Sequence, residues 1–315
     1  MSSLWPAGRR RVLVVGIDGV RLDLLPELHT PHLDAVAAAG FLAPVEVDEA
    51  TPTMSGPCWA TIVTGVGVAK HGVLGNHLGG NRLDVFPDFT TRLAAVHRRR
   101  TFAAGGWEPL FLARSGGPLF AAPGRLSYIA PLEDTPEAWE VCDERVTAEA
   151  EYVLGRSDDD PQASFVYLGA VDETAHFLGC GPEYRRSVEA ADRRLGRLLD
   201  ALRRRAGYQE EEWTVIVVTD HGHVDQGGHG GRSVLERTAW IAAYGPGIAP
   251  GAAPARPLHH TDVAAHVYAA LEIAPDPHWT LDGRPFETVA AEPVDPVDPV
   301  DPVDPVDPVE LVTVG

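Results

Sequence analysis

The chain has 315 residues, with 45 Asp and Glu against 26 Lys and Arg and a formal net charge of −19. A surface of that sign repels nucleic-acid backbones and anionic lipid, which argues against a nucleic-acid polymer or a membrane as partner. The leading MSSLWPAGRRR lacks the apolar run of a signal peptide, no stretch approaches the roughly 18 apolar residues of a membrane span, and three cysteines make no even disulfide framework, so a cytoplasmic protein is expected.

In chain order, residues 12–17 read as a strand, and Thr30 with Pro31 open a helix that Gly40 can end. Residues 41–47 follow as a strand, and 53–65 as a loop running into a helix amino terminus. A helix is expected over 88–98 and a strand over 101–106. Residues 107–134 are rich in Gly, Pro and aromatics without a sustained period, and read equally well as substrate-facing loop or packed irregular chain. Thr135 and Pro136 start a helix running to Leu154, followed by a strand over 164–171, a helix from Pro182 to Arg205, and a strand over 213–219. A strand at 238–244 and a helix from Asp262 to Leu271 complete the alternation. That order predicts an α/β fold with a central, mostly parallel sheet and helices on both faces. It forms a single catalytic domain over 1–292 with a small lid near 77–135. From Pro293 a Pro-Val-Asp repeat reads as a solvated, disordered tail, since its composition cannot bury a core.

Three apolar runs stop at an aspartate: VLVVGI before Asp18, FVYLGAV before Asp172 and TVIVVT before Asp220. Ligands of open α/β sheets bind beyond the carboxyl ends of the strands, so these acids can converge there from distant parts of the chain. His221 directly follows Asp220 on a glycine-rich stretch; alone, the pair is as readily a turn cap beside a solvent histidine. Asp172 and His176 stand four apart, on one face of a helical turn, which suits two ligands of one ion or a plain helix salt bridge. Two Asp/His clusters at sheet exits together favour metal. Ser55 and Thr53 lie at the start of a helix, where a hydroxyl either caps the helix or, beside a metal, becomes a nucleophile. Amides there can also hold a phosphate oxygen. GVGVAKHG (65–72) is not a phosphate loop, and Cys58 without a basic neighbour reads as a buried structural thiol.

IDGVR (17–21), TMSGPCWATIVTG (53–65), HGVLGN (71–76), VDETAH (171–176), TDHGH (219–223) and GGHGG (227–231) resemble, in order, the motifs of the alkaline phosphatase superfamily. The phosphodiesterase and nucleotide pyrophosphatase branch is the nearest. The resemblance covers about residues 11–285, closing on LDGRP (281–285). It implies one metal on Asp18, Asp220 and His221 with Ser55 as the nucleophile on that ion, a second on Asp172, His176 and His229, and Asn76 as a donor to the substrate phosphate. Asp and His donors suit two Zn2+ ions, with Mn2+ compatible. The implied reaction is hydrolysis of a phosphodiester or pyrophosphate bond in a small phosphate ester, with nucleotides as candidate substrates, through a phosphoseryl intermediate. Relatives often carry threonine at the Ser55 position and methionine at that of His223, so His223 competes with His229 as a ligand.

Other readings share the residues. A phosphomonoesterase would need extra cations, with Arg21, Arg114 and Arg125 as candidates. A sulfatase would need arginine where Trp59 stands, and a phosphomutase a larger cap than this chain has room for. From another class, the chain could be a silent metal-binding or interaction protein.

Overall fold

Residues 9–290, apart from 157 and 159, are described in a computed structural model; the Pro-Val-Asp tail lies outside them. Seven strands form one sheet: β1 (Arg10–Ile17), β2 (Phe41–Glu46), β3 (Thr101–Gly105), β4 (Arg125–Tyr128), β5 (Ala163–Leu168), β6 (Glu212–Val218) and β7 (Thr238–Tyr244), in the order β2-β7-β6-β1-β5-β3-β4. The five strands from β6 to β4 run parallel, while β7 is antiparallel to both β6 and β2. The fold is therefore the expected α/β architecture.

Val12, Leu13, Val14 and Val15 of β1 are fully buried. Continuous Val, Ile and Leu without polar alternation marks a strand covered on both faces, each such side chain contributing about 1.5–3 kcal/mol on burial. The helices are α1 (Pro31–Ala39), α2 (Ser55–Thr64), α3 (Val68–His71), α4 (Phe89–His97), α5 (Glu108–Phe111), α6 (Pro136–Gly155), α7 (Ala170–Leu178), α8 (Pro182–Arg203), α9 (Val234–Arg237) and α10 (Thr261–Ala270). One layer groups α2 and α4 around α10, and the other packs α1, α6 and α7 around α8. Among the described residues no helix is long and apolar enough to cross a membrane.

The central trio β6-β1-β5 decides where the chemistry falls. Gly16 of β1 pairs with Val218 of β6 on one side and Tyr167 of β5 on the other, so the chain leaving each of these parallel strands emerges at one edge. Asp18, Asp172 and Asp220 follow those three strands. Two expectations need correction. The predicted strand over 164–171 ends at Leu168, and Asp172 sits in the first turn of α7. Within residues 77–135, expected to carry the lid, the predicted helix and strand are α4 and β3, and β4, which was not predicted, adds a further strand to the main sheet. β4 escaped the sequence because its four residues have no fully buried member to mark a strand.

Candidate active site

Asp18 directly follows β1 and is fully buried. Its Oδ2 accepts from Trp59 Nε1 (2.9 Å) and from the Tyr167 hydroxyl (2.7 Å), while Oδ1 has no hydrogen-bond partner. Asp220 mirrors it: Oδ1 accepts from the Gly19 amide at 3.1 Å and Oδ2 is unpaired. His221 is fully buried, with Nδ1 3.1 Å from the Gly222 carbonyl. A carbonyl only accepts, so Nδ1 carries the hydrogen and Nε2 presents a lone pair. That Nε2 stands 3.2 Å from Asp220 and 3.6 Å from Asp18.

The second cluster hangs on α7 and a glycine-rich loop. Asp172 and His176, four apart on α7, face each other with Nε2 3.4 Å from Oδ2. His229 Nδ1 meets the Thr53 carbonyl at 2.7 Å, which again leaves Nε2 as a lone pair; it lies 2.9 Å from His176 Nε2 and 3.5 Å from Asp172 Oδ1. The side chain of His176 is 39 % exposed, whereas Asp18, Asp220 and His221 are fully buried.

Burial and crowding of like groups set the electrostatics of the site. Burial, with the charge of Asp172 added, raises Asp18 to about 7, and burial with Asp18 and Asp172 pushes Asp220 well above the carboxylate range. Burial would raise Asp172 as well, but the adjoining His176 and His223 imidazoles hold it well below its ordinary value. The hydrogen bond to Asp172 lifts His176 to about 9, while burial lowers His221 and His229. Asp18 Oδ1, Asp172 Oδ1, Asp220 Oδ2, His221 Nε2 and His223 Nε2 are buried polar atoms without a hydrogen bond among the described residues. Native interiors satisfy such atoms. The donor atoms of Asp18, Asp220 and His221, and those of Asp172, His176 and His229, each lie within 4.8 Å of one another, and Asp172 with His221 and His223 forms a third such group. Asp and His donors around unmet negative charge fit divalent cations.

Ser55 is the first residue of α2 and is buried; Met54 holds the cap position, so the N-cap reading of Ser55 does not apply. Its chain neighbours tie it to both clusters: the Thr53 carbonyl holds His229, and Trp59, one turn along α2, holds Asp18. Thr53 Oγ1 is engaged by the Gly230 amide and the Gly231 carbonyl, whereas the Ser55 hydroxyl makes no hydrogen bond among the described residues. Asn76 Oδ1 accepts from the Gly56 amide at 2.9 Å, leaving its NH2 group to donate elsewhere. Gly56 is required here because a Cβ would collide with the Gly75 carbonyl of that loop. Cys58 is inert: burial and then Asp220 raise its thiol well above the ordinary value.

Sequence reading missed three supports. Trp59 and Tyr167 hold Asp18; the i+4 spacing of Trp59 from Ser55 was the available signal. Asp143 of α6 accepts from the Gly169 and Ala170 amides (3.0 and 2.9 Å) and so caps α7 from another helix, which no local pattern announces. Of the cations named for a monoester, Arg21 is held by Asp23 and Asp225, Arg125 by Glu149, and Arg114 is 79 % exposed beside Glu108.

The chain is similar to known proteins in sequence and in fold. Human ectonucleotide pyrophosphatase/phosphodiesterase family member 7 is 25 % identical over 236 residues, covering 68 % of this chain and 48 % of its own length. The mouse protein of that name is 26 % identical over 232 residues, covering 68 % and 50 %. The chain thus spans about half the length of the curated relatives it matches. Among solved structures, murine ectonucleotide pyrophosphatase / phosphodiesterase 5 in complex with AMP superposes with a TM-score of 0.63 at 16 % identity, over 88 % of this chain and 97 % of that one. A 2-O GAG sulfatase gives 0.63 at 12 % identity, over 88 % and 75 %. At those identities the likeness is one of fold. The family model for type I phosphodiesterase / nucleotide pyrophosphatase matches residues 12–276, and the chain belongs to that family, within the alkaline phosphatase superfamily.

Proposed function

We propose that the protein hydrolyses phosphodiester or pyrophosphate bonds of small phosphate esters, nucleotides among them, with Ser55 as nucleophile and two divalent cations as cofactors. The observation that carries the reading is the set of unpaired buried donor atoms on Asp18, Asp220 and His221, with Asp172, His176 and His229 clustered beside them, at the edge where α2 begins. Asp18, Asp220 and His221 would hold one ion, and Asp172, His176 and His229 the other. Zinc suits these donors best, with manganese compatible. The ions, when bound, supply positive charge for the phosphoryl oxygens and make hydroxyl and water oxygens nucleophilic at neutral pH.

The residues do the rest. Ser55 Oγ, free of any hydrogen bond among the described residues, forms a bond to phosphorus as the bond to the leaving oxygen breaks, and its proton passes to solvent. The leaving oxygen takes a proton from water. A water oxygen then attacks the phosphoserine, the Oγ–P bond breaks, and Ser55 regains its hydrogen. The NH2 group of Asn76, with its carbonyl anchored on Gly56, is oriented to donate to a phosphoryl oxygen. Substrate reaches the site from the side of His176, the exposed member of the set.

Arg21 and Arg125 are engaged by carboxylates, so the geometry favours a diester over the more highly charged monoester. Trp59 spends its indole on Asp18 where a sulfatase would need arginine. The direct test compares bis-p-nitrophenyl phosphate with p-nitrophenyl phosphate after metal loading and after chelation. Chelator-sensitive turnover that prefers the diester is expected; turnover that survives chelation, or none on any phosphoester after loading, rejects the reading.

A further inference from the structure

We propose that His223 is a positioning residue: it donates a hydrogen bond that orients the Asp172 carboxylate, and it is not itself a metal ligand. The inference rests on the two-cation reading above and extends it to a residue that family resemblance leaves open between ligand and bystander.

His223 is fully buried, with its ring edge-on to Tyr184 at 6.3 Å. Its Nδ1 accepts from the Gly228 amide at 3.1 Å. That amide is fixed by a closed turn, in which the Val224 amide donates to the Gly228 carbonyl (3.1 Å) and the Gly227 amide to the Val224 carbonyl (2.9 Å). A backbone amide only donates, so Nδ1 of His223 holds a lone pair. The one hydrogen of the neutral ring then sits on Nε2. An Nε2–H cannot bind a cation. His221 and His229 are the reverse, since each directs Nδ1 at a carbonyl and presents a bare Nε2. Three imidazoles that share one pocket are thus sorted by what lies behind them.

The acceptor for His223 Nε2–H is Asp172 Oδ1, 2.9 Å away. As placed, the contact is not a formed hydrogen bond, and both atoms are without a partner among the described residues; a small rotation of the Asp172 carboxylate would bring Nε2–H and Oδ1 into line. Space for this contact exists because residue 19 is glycine, at φ +68°, where a Cβ would collide with His223 Nε2. With Oδ1 tied to His223, Oδ2, which faces His176, is left as the oxygen for the ion. Such partners behind a ligand typically contribute about 10–100-fold in metal affinity.

The experiment compares His223→Ala, His223→Gln and His229→Ala by zinc content and by chelator competition for the weaker ion. Ring tautomers are read by long-range 1H–15N spectra of the metal-free, histidine-labelled protein. His223→Ala should keep the zinc stoichiometry of the unmodified protein but bind the weaker ion about 10–100-fold less tightly. His223→Gln should restore most of that, since its amide nitrogen falls near the position of Nε2, whereas His229→Ala should lose an ion. The spectra should show hydrogen on Nε2 of His223. Loss of an ion in His223→Ala, hydrogen on Nδ1, or unchanged zinc affinity in His223→Ala overturns the proposal. Absence of zinc uptake by the unmodified protein rejects the two-cation reading instead, and the ring spectra still decide which nitrogen of His223 donates.

Discussion

The two halves of the site are built from the same residue types on different supports. Asp18, Asp220 and His221 sit at or just beyond the ends of adjacent parallel strands, fully buried, each with its second polar atom secured by an indole, a phenol or the backbone. Asp172, His176 and His229 stand on a helix and a glycine-rich loop, and His176 is 39 % exposed. The strand-end half is placed by sheet register, which cannot slip without undoing the core. The helix-and-loop half is placed by caps and turns, and it carries the exposed member of the set. Closed support gives a fixed charge pattern, and open support gives access.

The sharpest way to break this comparison is at Ser55, which is tied through its neighbours to both halves. Ser55→Ala should lower kcat on bis-p-nitrophenyl phosphate by at least about 10⁴-fold with zinc content unchanged. Thr53→Ala should keep the nucleophile but loosen His229 through the Gly230 contact. Full activity in Ser55→Ala would move the nucleophile elsewhere.

Next in size are the histidines proposed as ligands. His221→Ala and His176→Ala should each weaken one ion by more than the roughly 100-fold of an outer partner. Only His221→Ala, which hollows a fully buried position, should also lower Tm by several degrees, about 2–5 kcal/mol by analogy with core truncations. Equal Tm values would mean that the halves do not differ in support.

Asp143 tests the open half from behind. Asp143→Asn leaves one of the Gly169 and Ala170 amides without its acceptor, at about 1–3 kcal/mol, and should reduce zinc affinity through α7 alone. A variant with normal zinc affinity and reduced stability would sever the cap from the site.

The smallest effect is one of pH, at the loop carrying Asn76. His71 is fully buried, accepts from the Val73 amide at Nδ1 (3.0 Å) and contacts Thr61 Oγ1 through Nε2 (3.1 Å); burial lowers it to about 4. Its pKa is depressed on folding, so the stability it contributes is complete above about 6.5 and is lost as pH falls through 4. Between pH 7 and 5.5 the loss is about 1 kcal/mol. The protection of the Val73 amide, that is its exchange relative to the intrinsic rate at each pH, should fall over that range, and a His71 that titrates near 6.5 would contradict the argument.

Much of this was legible without coordinates. The strands ending at Asp18 and near Asp220 announce themselves because buried parallel strands are unbroken apolar runs, and i,i+4 spacing does place Asp172 and His176 on one helical face. The same rule misled at Asp172, where the apolar run continues past the strand end: the backbone turns at Gly169 because a carboxylate from α6 captures two amides there. Arg21 looked available for substrate until Asp225, 204 residues away, was seen to hold it.

The sequence by itself determined the α/β layering, the three acids at the sheet edge and the Asp/His composition of the site, because apolar periodicity and residue type are local properties. Which histidine presents a lone pair and which a hydrogen was decided only by tertiary structure. His221, His223 and His229 are chemically identical in the chain, and they differ because one Nδ1 meets an amide and the other two meet carbonyls.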